Sequence, residues 1–118
     1  KIIASLSRNA IVITDTSKKV KQLGAFTVPI EVIPLAYQYV FDQVESLGGK
    51  ARLRKAGNKN FLTDNGNFII DADFGLIAAP DQLAIALNQI DGLLAHGLFI
   101  GLTQKVIMSQ GSHIIVFD

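Results

Sequence analysis

Pro29-Ile30-Glu31-Val32-Ile33-Pro34, an extended segment held between two prolines, decides the fold of this 118-residue chain. Pro34 suits the first position of a helix, where its missing N–H has no partner to lose. The pattern that follows predicts a helix over 34–47, with Ala36, Val40, Val44 and Leu47 along one stripe and Gly48-Gly49 as the stop. Residues 50–55 alternate Ala51 and Leu53 with Arg52 and Arg54, as a half-exposed strand does. Residues 61–63 and 68–73 then read as a hairpin closed by Asp64-Asn65-Gly66-Asn67, since Asn-Gly favours the positive φ that tight hairpin turns need. Pro80 and Asp81 open a second helix with Leu83, Ala86, Leu87 and Ile90 on one face, stopped at Asp91-Gly92. A last strand covers 93–100. Strand, helix, strand, strand, helix, strand is the ferredoxin-like α+β order, βαββαβ, expected over 28–101.

Outward from this module the pattern changes. Residues 1–8 read as the last turns of a helix, with Ile2, Ile3 and Leu6 at helical spacing. Residues 10–14 (AIVIT) are a continuous apolar, β-branched run, suited to a parallel strand buried on both faces. Asp15-Thr16-Ser17-Lys18 follows as a polar turn. Residues 1–27 are therefore expected to be the end of a Rossmann-like α/β domain that one strand cannot form alone. Strands at 105–109 and 113–117, joined through Gln110-Gly111-Ser112, are expected to return to that domain over 102–118. The chain begins at Lys1 as a helix already under way, which reads as the middle of something larger. No internal repeat or low-complexity segment is visible.

Composition narrows the function. Apolar residues make up 49% of the chain and charged residues 18%. That is drier than an average soluble domain, as expected of a protein with apolar surface meant for a partner. The apolar runs are broken by Asp71, Asp73, Asp91 and His96, short of the ~20 residues a bilayer span needs. The net charge of +1 supplies no field for nucleic acid, and the basic cluster at 50–59 has no aromatic residue to stack on a base. With no cysteine and two histidines, disulfides, thiolate metal sites and a cysteine nucleophile are excluded, and the cytoplasm is the simplest compartment.

Several segments, in order and spacing along nearly the whole chain, resemble type A ribose-5-phosphate isomerase. They are Asp15-Thr16-Ser17-Lys18; Leu23-Gly24 with Pro29 to Pro34; Leu47-Gly48-Gly49; Thr63-Asp64-Asn65-Gly66-Asn67 with Ile70-Asp71; and Gly97-Leu98-Phe99. The resemblance implies a cytoplasmic isomerase of the non-oxidative pentose phosphate pathway that interconverts ribose 5-phosphate and ribulose 5-phosphate without cofactor or metal. It implies a homo-oligomer, dimer or tetramer, and neither nucleic-acid nor membrane binding. The family's phosphate loop, paired aspartates, lysine–glycine segment and glutamate base all precede the matched region, the glutamate falling immediately before Lys1. This chain is thus expected to lack the catalytic base and to be inactive alone. One substrate-contacting residue carries over, the lysine of the Asp-x-Ser-Lys turn, here Lys18; read without the resemblance, Lys18 is one of three solvated lysines with Lys19 and Lys21. Thr27 replaces a common proline, and 100–104 lacks the family's usual Asn-Arg-Gly.

Other residues are weighed on their own. Asp71 and Asp73 share a strand face and could form an acid/base or metal pair, although a solvent face explains them as well. Glu31 is expected to pair with Arg52 or Arg54 across neighbouring strands. Residues 64–67 lack calcium-loop spacing and read as a turn. His96 reads as a hydrogen-bonded core or interface histidine and His113 as exposed. Tyr37, Tyr39 and Phe41 offer an aromatic surplus for an interface. The alternative function is a non-catalytic ferredoxin-like module for ligand binding or oligomerisation. RNA binding by its sheet would require exposed aromatics on central strands, a pattern these strands lack.

Overall fold

The computed structural model describes residues 1–118. Along the chain lie α1 (Ile2–Leu6), β1 (Ile11–Asp15), a 3-10 turn (Thr16–Lys18), β2 (Val28–Val32), a 3-10 turn (Pro34–Ala36) and α2 (Tyr37–Ser46). Then follow β3 (Lys50–Leu53), β4 (Lys55–Ala56), β5 (Lys59–Asn60), β6 (Phe68–Asp73), α3 (Pro80–Asn88), β7 (Leu93–His96), β8 (Lys105–Gln110) and β9 (His113–Phe117). The protein is mixed α/β and divides into two compact units, 22–98 and the pair of segments 1–21 and 99–118. The expected edge at 27/28 and the structural one differ by 22–27, which join the larger unit where Leu23 O accepts the Ile77 N–H at 2.8 Å. No helix is long and apolar enough to cross a membrane.

The unit of 22–98 is a four-stranded antiparallel sheet in the order β3-β6-β2-β7, with α2 and α3 packed on one face. Alternation puts Val28, Ile30 and Val32 of β2 and Ile70 and Ala72 of β6 on the helix side. There they meet Val40, Val44 and Leu87, and each fully buried Ile or Leu contributes about 1.5–3 kcal/mol. The α2 stripe holds at Val40 and Val44, but Leu47 lies beyond the last turn and is exposed. Gly48, at φ +92°, ends the helix: its N–H donates to Glu45 O, and the Gly49 N–H reaches back to Val44 O.

The hairpin expected between 61–63 and 68–73 does not form. The turn itself does, with the Gly66 N–H on Thr63 O and the Thr63 N–H on Asn67 O, and only Gly66 takes positive φ. β6 is central, and both its edges are taken, by β2 and β3. Residues 61–63 therefore find no ladder there, and the Phe61 N–H bonds to Arg54 O instead. The tight hairpin is β4–β5, around Gly57-Asn58. The strand expected over 93–100 also stops early. The Gly97 N–H still reaches Pro29 O, but the Leu98 N–H turns to His96 Nδ1, and the chain leaves the sheet.

The smaller unit holds a three-stranded sheet, β1-β8-β9, in which β1 runs parallel to β8 and β9 antiparallel to it. β1 was expected to be buried on both faces; within this chain Ile11, Val12 and Ile13 are exposed, Ile13 to 81%. Of this unit only Met108 is buried, because no helix here is long enough to cover either sheet face.

Candidate functional site

Lys18 sits where β1 ends. A parallel strand's carboxyl end is where open α/β sheets present their ligand-binding loops. Asp15, its last residue, turns its carboxylate onto the next segment, and Oδ1 accepts the Ser17 N–H at 2.8 Å and the Ser17 hydroxyl at 2.5 Å. These bonds are the capping pattern that aspartate offers a helical turn. They lower the Asp15 carboxyl from its ordinary value, the Ser17 hydroxyl contributing most and the Lys18 charge adding to it. At the rear of the turn the Lys19 N–H donates to Thr16 O at 3.2 Å. Lys18 is exposed between these two closures.

One face of the small sheet lies under this turn. The register aligns Val12 with Val106 and Thr14 with Met108, and Val106 in turn with Phe117. These five side chains, with Lys18 and Lys19, line a cavity of about 360 Å³. Its walls are chiefly apolar, with two ammonium groups and the Thr14 hydroxyl as the polar elements. Lys19 Nζ lies 4.8 Å from the centroid of the Phe117 ring. Sequence reading counted Lys19 among solvated lysines and gave Phe117 no role. The alternation in 113–117 was the available signal that Phe117 shares a face with the β1 residues.

The remaining candidates, His113 apart, fall elsewhere, in the larger unit. Arg54 pairs with Asp71, Nε to Oδ2 at 2.9 Å and Nη2 to Oδ1 at 2.7 Å, and this pairing raises the Arg54 pKa above its ordinary value. Asp71 is thus a structural ion-pair partner, while Asp73 accepts the Gly75 N–H. Glu31 does not meet Arg52 or Arg54, because β2 has β6 between it and β3. It accepts instead from Thr63 Oγ1 at 2.8 Å and Asn67 Nδ2 at 3.2 Å, tying the 63–67 turn to the sheet. His96 is buried: Nδ1 accepts the Leu98 N–H, so the proton lies on Nε2, 2.9 Å from Asn88 Oδ1. His113 is exposed. Tyr37 packs edge-on to Phe68, and Phe41 also joins the core, so of the three helix aromatics only Tyr39 is exposed. No group of three His, Asp or Glu side chains could hold a metal ion.

A mixed α/β protein with a capped, cationic turn at a parallel strand's carboxyl end is the class that fold and site define. The family profile of ribose 5-phosphate isomerase A (phosphoriboisomerase A) matches residues 1–113. The chain belongs to this family. It is 40% identical over 116 residues to the ribose-5-phosphate isomerase A of Sphingopyxis alaskensis, covering 98% of this chain and 51% of that protein. With the enzyme of the same name from Methanothermobacter thermautotrophicus it shares 42% over 119 residues, or 98% and 53% of the two chains. The solved ribose 5-phosphate isomerase A of Methanocaldococcus jannaschii superposes with a TM-score of 0.89 at 34% identity, over 98% of this chain and 52% of that one. A D-ribose-5-phosphate isomerase in complex with phospho-erythronic acid superposes equally well, at 0.89 and 35%, over 99% and 52%. The chain thus spans about half the length of the relatives it matches.

Proposed function

We propose that this chain supplies one part of a ribose-5-phosphate isomerase, and that Lys18 contacts the sugar phosphate. The reaction interconverts ribose 5-phosphate and ribulose 5-phosphate by moving a proton between neighbouring carbons. It needs a base, stabilisation of the enediolate and a grip on the phosphate. Lys18 suits the last of these tasks: a point charge held at a strand's carboxyl end attracts an anionic sugar phosphate. The observation that carries the reading is the Asp15-capped turn, which fixes the backbone on both sides of an exposed ammonium. A relative that holds phospho-erythronic acid, itself a phosphorylated acid, supports an anionic ligand. The base is proposed to lie outside these 118 residues, so the chain alone is expected not to isomerise.

The antiparallel order β3-β6-β2-β7 supports a ferredoxin-like assignment for the larger unit, with βαββαβ order along the chain. We assign it an oligomerising role, as a dimer or tetramer, and assign the small sheet to a Rossmann-like domain with further strands and helices. The test is the full reading frame that encodes this chain, assayed with ribose 5-phosphate. Lys18→Ala is expected to raise KM about tenfold or more, the loss of a charge-assisted contact. Unchanged KM and kcat would remove Lys18 from the site.

A further inference from the structure

We propose that Phe117 is a positioning residue for Lys18, acting through Lys19; this rests on the assignment of Lys18 to the sugar-phosphate site. The register places Phe117 opposite Val106, and Val106 opposite Val12, whereas Asp15 lies opposite Ser109. Phe117 is therefore about three strand residues, or about 10 Å, from the sheet end where the turn emerges. Lys19, directly after that turn, places its ammonium 4.8 Å from the Phe117 ring centroid. Its side chain must consequently run back along the sheet face, its methylenes over apolar surface and its charge on the ring, as long cationic side chains do. Lys19 is thereby a strap with two fixings, its N–H on Thr16 O and its ammonium on Phe117. The far end of β9 is held in turn by the Lys105–Asp118 ion pair, 3.4 Å.

The strap has two consequences for Lys18. Lys18 and Lys19 line the same cavity, and their charges are adjacent in sequence. With Lys19 drawn to the ring, Lys18 is left as the ammonium free to meet an anion. With the turn pinned at Asp15 in front and at Lys19 behind, Lys18 also loses less backbone freedom on binding, which is how pre-organisation raises affinity. Both consequences act on substrate binding and leave the proton-transfer step untouched.

The test is a kinetic cycle in the isomerase expressed from the full reading frame. Phe117→Leu is expected to raise KM for ribose 5-phosphate about two- to five-fold with kcat unchanged, the range of an exposed cation–π contact. Phe117→Tyr, which keeps the ring face, is expected to restore KM. Lys19→Met should match Phe117→Leu, and the double variant should be no worse than either single one. If Phe117→Leu folds poorly, Lys19→Met carries the test, since Lys19 is exposed and its loss leaves the ring in place. Additive effects, failure of the tyrosine to restore KM, or a normal KM in Lys19→Met would overturn the strap while Lys18→Ala still raises KM. A normal KM in Lys18→Ala would remove the underlying assignment and the strap with it.

Discussion

The two units use the same kind of strand to opposite ends. In the larger one, β2 (Val28–Val32) alternates buried Val28, Ile30 and Val32 with more open Pro29 and Glu31. In the smaller one, β1 (Ile11–Asp15) is just as β-branched, yet Ile11, Val12 and Ile13 are all exposed. What separates them is cover. β2 lies between β6 and β7 beneath two helices, whereas β1 has β8 on one side and no helix packed on it. An apolar run states what a strand needs, and only the neighbours supply it.

That contrast can be broken at its strongest point by truncating one isoleucine in each unit. Ile70→Ala, at a fully buried position, is expected to destabilise the larger unit by about 2–5 kcal/mol. In the 118-residue chain by itself, Ile13→Ala, at an exposed position, should stay within about 0.5 kcal/mol. Urea titration followed at backbone amides of each unit measures both. Equal costs would mean that the face of β1 is covered after all. The next effect in size is the Arg54–Asp71 pair, where Arg54→Met is expected to cost about 1 kcal/mol, because both side chains are partly open to solvent. A double-mutant cycle with Asp71→Asn isolates it, and no coupling would make the pair incidental.

The smallest effect is local to the turn at Lys18. Hydrogen bonds from Ser17 depress the Asp15 carboxyl below its ordinary value of 3.8. A depressed carboxylate contributes fully at pH above its unfolded pKa, and the contribution disappears as pH falls through its folded pKa. The Ser17 amide should therefore stay protected at neutral pH and lose protection only below about pH 3.8. An Asp15 titration midpoint at or above the ordinary value would show the cap unformed in solution.

Much of the fold is legible in the sequence. Pro34 marked a helical start because proline has no N–H to lose, and Gly48 marked the stop because only glycine takes φ +92° without cost. The Lys18 turn was visible as Asp-x-Ser-Lys, whose capping chemistry is local. The errors were non-local. The Asn65-Gly66 turn was read correctly as a turn and wrongly as a hairpin, because the edges of β6 go to strands distant in sequence. Glu31 was matched to arginines two strands away, and Arg54 found Asp71 instead. Tyr37 and Phe41 looked like interface aromatics until the helix was seen to turn them into the core.

What the sequence determined by itself was therefore whatever neighbouring residues settle among themselves: caps, turn positions, the amphipathic stripe of α2 and the order of elements. Tertiary structure decided which strand edges meet, which carboxylate each cation finds, and that Lys19 reaches Phe117 from the other end of the chain. The physical reason is range. Backbone preferences and capping bonds act over a few residues, whereas burial and ion pairing depend on surfaces that exist only once the sheets have formed.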